Sequence, residues 1–275
     1  MGLVGRLTGA DLRFMAETVA TERRDYDRIV EIIRDKEDFL EMMLEDEKLF
    51  RRVMSDEDIL VKISPFLFFS ILIRRTRRDL RAQPFTLEQT GALEKIPVFD
   101  TEHIIELLED PAVRDYLVDM LCSFTRVESV TFYFKLGRRI LKRRFSDLDP
   151  DDMIALGSLL DEEHRFPIYK RIGDIALFIT GCFPEYVEAR HRYPLSGRLR
   201  PAPPGKLRRS MEEWEEEGRR FYELAASHPS APEELRRALE RLSRSFFLAR
   251  KSLNFMVERY LRFKKAKIFR PPEGD

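Results

Sequence analysis

Apolar residues recur at alternating spacings of four and three through the last quarter of the chain: Leu235, Leu239, Leu242, Phe246, Ala249, Leu253, Met256, Tyr260 and Phe263. Such spacing keeps one side of an α-helix apolar along its length. It predicts a single long helix, on the order of 45 Å at about 1.5 Å per residue. A second ladder of the same spacing precedes it, through Leu207, Met211, Trp214, Gly218, Phe221, Ala225 and His228. The Pro-containing break at 227–232 separates the two, so the pair reads as an antiparallel helical hairpin. Either the hairpin packs back on the rest of the chain and completes one core, or it offers its seam to a protein partner or a second copy. In the second case Trp214, Leu242, Leu253 and Tyr260 are the contact residues, with the sole Trp as anchor.

Helical spacing also runs through the earlier chain, as in Leu12, Met15 and Val19, or Ile104, Leu107 and Leu108. Thr8 with Asp11, Ser55 with Asp58, and Ser230 with Glu233 each place a side-chain oxygen three residues before an acid, the spacing of a capping box. Ser64-Pro65, Asp110-Pro111 and Asp149-Pro150 mark further starts, because Pro fits the first helical position without losing a needed N–H. Two stretches depart from this pattern. Residues 85–99 contain Thr90-Gly91 and Pro97 and suit a short hairpin or an extended loop. In 129–135, Val130, Phe132 and Phe134 alternate with Thr131, Tyr133 and Lys135 as in a strand, but basic residues continue to Arg144 without a turn signal, and helix is the reading preferred. Residues 193–206 are rich in Pro and Gly and form a linker. The expected architecture is all-α: a multi-helix bundle over 1–192, the linker, the hairpin over 207–265 and a tail over 266–275, with room for one small β-hairpin.

Composition narrows this picture. The chain has 275 residues, 43% of them apolar and 21 of them Phe, enough for a substantial core. Its 49 Lys and Arg balance 49 Asp and Glu, so any polyanionic partner must use a local patch. Cys122 and Cys182 both lie in apolar stretches, as buried thiols in a reducing compartment do. The most apolar stretch, 59–73, is shorter than the roughly 20 residues that span a bilayer, and it reads as a core helix. No signal peptide is evident, and a cytoplasmic location without membrane contact is expected.

Candidate chemistry is sparse, and no cofactor motif is present. Glu185, Glu188 and His191 have the carboxylate and imidazole spacing of metal ligands on one helix face. Asp174 and Thr180 fall inside the run 175–183 or at its head, and that run is apolar on every side. A carboxylate there either lines a pocket or is neutralised, by Lys170 or Arg171 among others. Three basic clusters stand out: Arg74, Arg75, Arg77, Arg78 and Arg81; Lys135, Arg138, Arg139, Lys142, Arg143 and Arg144; and Arg262 to Arg270. They bind phosphates or meet the acidic blocks at 35–58 and 212–217. These features support three functional expectations. The first is a non-catalytic scaffold or regulatory protein acting through protein contacts. The second is a nucleic-acid-binding protein using Arg74, Arg75, Arg78, Arg138, Arg139, Lys142 and Arg143. The third is an enzyme or cofactor-binding protein with a pocket beside 175–183.

Overall fold

A computed structural model of the chain describes residues 2–20, 25–89, 95–125, 129–136, 139–146, 149–191 and 207–269. Thr8 Oγ1 accepts from the Asp11 amide at 3.1 Å while Asp11 Oδ2 accepts from the Thr8 amide at 2.8 Å. This closed capping box starts α1 (Gly9–Val19), which leads to α2 (Tyr26–Asp35), α3 (Glu37–Leu44), α4 (Glu47–Ser55) and the one-turn α5 (Ile59–Lys62). Ser64 then caps α6 (Pro65–Leu80) by accepting from the Leu67 amide. Every residue from 66 to 73 in α6 is buried. Strands β1 (Thr86–Gln89) and β2 (Lys95–Val98) form an antiparallel hairpin ahead of α7 (Thr101–Glu109) and α8 (Pro111–Ser123). A second hairpin pairs β3 (Ser129–Leu136) with β4 (Arg139–Ser146). The rest is helical: α9 (Pro150–Gly157), α10 (Phe166–Cys182), α11 (Pro184–His191), α12 (Met211–Ser227), α13 (Glu233–Arg244) and α14 (Phe246–Met256). A π-helical turn (Val257–Leu261) and α15 (Lys265–Ile268) complete it. The fold is mainly α, as the periodicity predicts.

α10 is the axle. All its residues from Ile172 to Cys182 are buried, with α9, α12 and α14 packed against it. Two glycines set the spacing. A Cβ on Gly173 would fall 2.5 Å from the Tyr222 ring of α12, and one on Gly218 would overlap the Phe246 ring of α14. Glycine costs a helix about 1 kcal/mol relative to alanine, and here that loss is offset by two aromatic rings seated directly on the backbone. α6 forms a second apolar centre, covered by α7 and α8, and one continuous core runs from Leu3 to Phe269.

Several expectations need correction. The last ladder is not one rod, because Ser245 adopts φ −122°, ψ 31° between α13 and α14, and the π-turn interrupts it again. The ladder stays buried from Leu239 to Tyr260, whereas Phe263 is 90% exposed. Heptad spacing reports which side is buried, and a break that keeps the phase leaves it intact. Residues 129–135 are strand and not helix. The alternation of β-branched and aromatic residues with polar ones has period two, and it outweighs the missing turn signal. Ser55 ends α4 instead of capping α5, and Ser230 does not cap α13. The Ser230 amide instead donates to His228 Nδ1 at 3.1 Å, and His228 Nε2 meets the Glu162 carbonyl. The expected linker, 193–206, lies outside the described residues, but α10 and α12 on its two sides share the core. Nor do 266–269 form a tail, because Phe269 is buried and stacks on Phe69 at 5.4 Å.

Candidate functional site

The residues expected at a partner seam are interior. Leu242 and Leu253 are fully buried, and Trp214 and Tyr260 nearly so, all within the single chain. Tyr260 adds a hydrogen bond from its hydroxyl to Asp79 Oδ2 at 2.9 Å and an edge contact to Phe50. The hairpin therefore completes the core instead of offering its seam.

The two expected pocket residues are also occupied. Asp174 accepts from the Tyr116 hydroxyl at 2.6 Å, the Tyr222 hydroxyl at 2.9 Å and Lys170 Nζ at 2.6 Å. Burial, then the Asp174 charge, pushes both phenols well above their ordinary range, so they stay protonated donors. Thr180 Oγ1 donates back to the Ala176 carbonyl. Burial also holds both thiols protonated, raising Cys122 to about 12 and Cys182 further.

The first basic cluster meets the acids of α3 and α4. Arg74 is 0% exposed and makes a fork on Glu41, with Nε at 2.8 Å and Nη2 at 2.6 Å, while Nη1 donates to the Ser70 carbonyl. Burial alone would raise the Glu41 carboxyl, but the Arg74 bonds and the Arg74 and Arg114 charges hold it below its ordinary value. Arg75 pairs with Glu47 and Asp79, Arg77 with Glu45, and Arg78 lies 3.5 Å from Glu47. Arg74 and Arg75 thus engage acids of the same chain, which corrects their assignment to nucleic acid, whereas Arg78 stays exposed. Of the second cluster, Arg139, Lys142 and Arg143 stand on β4, whereas Arg138 lies outside the described residues.

What sequence reading missed is a groove where α10 ends. Two adjoining hollows of about 310 and 460 Å³ share Pro184, Asn254 and Glu258. The second hollow is lined by Gly181 and Cys182 of the last turn of α10, whose carbonyls have no partner within the helix. Asn254 supplies it, donating through Nδ2 to the Thr180 carbonyl at 3.0 Å and the Gly181 carbonyl at 2.6 Å. Lys265 reaches the Cys182 carbonyl at 3.4 Å and also pairs with Glu185. The π-turn forms one wall. One extra residue in a helical turn rotates the downstream side chains by roughly 100° about the helix axis. Here Tyr260 and Arg259 meet Asp79 on α6, and Val257, Glu258 and Arg259 line the groove.

The groove is amphipathic. Phe85, Met211, Pro184 and Phe255 line its apolar part. Arg250 and Lys251, 5% and 3% exposed, lie at its side. Each is held by a carboxylate from another element, Arg250 by Glu215 at 2.5 Å and Lys251 by Asp100 at 2.6 Å. Of the five cationic side chains on the two hollows, Arg250, Lys251, Arg259 and Lys265 are each paired with a carboxylate. Arg262 is exposed and has no carboxylate partner among the described residues; its guanidinium rests only on the neighbouring Phe263 ring. Sequence offered one signal for this site. Arg250 and Lys251 interrupt a helix that is apolar on most sides, and buried cations require fixed partners.

The expected metal ligands divide here. Glu185 and Glu188 line the groove, but Glu185 is engaged by Lys265, and His191 is not among the lining residues. Among the described residues no three His, Cys, Asp or Glu side chains converge to hold a metal, which corrects that assignment. No helix among them is long and apolar enough to cross a membrane. Comparison with protein-family models, curated proteins and solved structures finds no match for this chain.

Proposed function

We propose that the protein is a non-catalytic cytoplasmic binding protein that takes a small amphipathic organic anion in the groove at the end of α10. The observation that carries this reading is Arg262, exposed and without a carboxylate partner among the described residues, on the lining of one hollow that adjoins a second lined by Phe85, Met211, Pro184 and Phe255. Ligand sites commonly combine an apolar lining with a few placed polar groups, in volumes of about 300–1,000 Å³. The buried pairs of Arg250 and Lys251 fix the backbone of α14, and with it Asn254, before any ligand arrives. Both cysteines are held as thiols and Asp174 is fully engaged, which favours binding over nucleophilic or acid–base chemistry.

Titration with 1-anilinonaphthalene-8-sulfonate, an apolar body bearing one anionic group, tests the reading. Saturable binding of one dye per chain, weakened about tenfold by Arg262→Glu as expected for loss of a partly desolvated charge pair, would support it. Unsaturable binding, or binding indifferent to Arg262→Glu and to filling the hollow with Gln83→Trp, would overturn it.

A further inference from the structure

The hairpin β3–β4 carries a separate feature. Its residues 129–146 contain six Lys and Arg and no Asp or Glu, although acids and bases balance over the whole chain. Its backbone is an unbroken antiparallel ladder of eight pairs, from Ser129↔Ser146 to Leu136↔Arg139, with no third strand among the described residues. Eight residues at about 3.4 Å each make a ribbon roughly 27 Å long.

The register sorts its residues onto two faces, because partners across an antiparallel pair share a face and successive residues alternate. One face holds Thr131 with Arg144, Tyr133 with Lys142, Lys135 with Ile140, and the Ser129–Ser146 pair. Seven of those eight residues bear a side-chain hydrogen-bond donor, and none is acidic. The other face is mostly apolar and aromatic, with Arg143 opposite Phe132 and Arg139 opposite Leu136.

We propose that this ribbon is a docking element for nucleic acid, binding the phosphate backbone through Lys135, Lys142 and Arg144. A face of donors without acids complements phosphate oxygens, and a two-stranded ribbon has the width that the major groove of a B-form duplex admits. The alternative polyanion, an anionic membrane, fits less well. An amphipathic element on a bilayer puts its apolar face in hydrocarbon, and here that face carries two guanidinium groups. Cations on both faces instead match a ribbon set between two walls of phosphate.

The test is fluorescence anisotropy of the full-length chain with a labelled 20-base-pair DNA duplex and a labelled 20-nucleotide single-stranded RNA, each from 50 to 200 mM salt. Flotation with phosphatidylserine vesicles forms the third arm. The expected result is binding of at least one nucleic acid whose log affinity falls linearly with log salt. Duplex preference indicates groove docking, and single-strand preference indicates stacking on the aromatic residues. The triple variant Lys135→Gln, Lys142→Gln, Arg144→Gln should lose on the order of 100-fold at 50 mM salt and flatten the duplex slope by about 2.7, at about 0.9 per phosphate contact. The variant Lys135→Arg, Lys142→Arg, Arg144→Lys should retain binding, which guards against a folding defect in the neutral variant. Binding to vesicles but to neither nucleic acid, no binding in any arm, or unchanged binding by a folded neutral variant would overturn the proposal.

Discussion

Two basic segments of nearly equal charge have opposite settings in this molecule. The arginines at the end of α6 face α3 and α4, and Glu41, Glu45, Glu47 and Asp79 engage them one after another, with Arg74 sealed from solvent. The lysines and arginines of β3–β4 sit on a two-stranded ribbon whose own cross-strand partners include no carboxylate. In sequence the two look alike. The difference is topological: an acidic pair of helices folds over α6, whereas the ribbon pairs only with itself among the described strands. A basic cluster therefore indicates a polyanion partner only after the acids of the same chain have been placed.

The largest expected effect that would break this comparison is in the buried pair. Glu41→Leu strands a fully buried guanidinium and should cost about 3 kcal/mol of unfolding free energy in denaturant titration. That is the low end for a broken buried pair, because the Glu41 side chain is itself 35% exposed. A cost under about 1 kcal/mol, the value of an exposed pair, would show that Arg74 does not depend on its partner.

Smaller by about half is Tyr222→Phe, which removes one of three donors to Asp174 and should cost about 1–2 kcal/mol. The same site gives a pH signature. Tyr116 and Tyr222 have raised folded values, so their contribution is complete below the unfolded phenol value of about 10 and is lost as pH rises through the folded value. Absorbance at 295 nm should show these phenols ionising only together with loss of helical circular dichroism. Titration of all eight Tyr near pH 10 in a still-folded protein would contradict the burial.

The sign reverses at Glu41. Its lowered folded value means a contribution present above the unfolded carboxyl value, about 4.3, and lost as pH falls through the folded one. Acid unfolding should therefore lose part of its steepness in Glu41→Gln. The smallest effect belongs to the ribbon. Lys135→Gln, Lys142→Gln, Arg144→Gln should change stability by about 1 kcal/mol or less, the scale of a cross-strand pair, against about 3 kcal/mol at Glu41.

Much of the helical fold is legible in sequence because its signals are local. Thr8 and Asp11, Ser64-Pro65, Asp110-Pro111 and Asp149-Pro150 each set a helix start within four residues of chain. The burial phase of the ladders is equally legible, down to Leu239, Leu242, Leu253 and Met256. The break at Ser245 is not, since it leaves the four-and-three spacing of the ladder unchanged. The ribbon reads as helix because the sequence between its two strands carries only one glycine among basic neighbours. The groove is invisible because its floor, wall and rim come from α10, the π-turn and the segment before β1, distant in sequence and joined only by packing. The capping box of Ser210 with Glu213 at the head of α12 has the ordinary spacing, but the ladder begun at Leu207 places Ser210 inside the first helix of the hairpin.

The measurement that bears most directly on the contrast between the two basic segments is duplex binding at 50 mM salt by two variants side by side. One carries Arg75→Gln and Arg78→Gln on α6, the other Lys135→Gln, Lys142→Gln and Arg144→Gln on the ribbon. The account predicts near-wild-type affinity for the first and a loss on the order of 100-fold for the second. Equal losses, or a loss confined to the α6 variant, would contradict it.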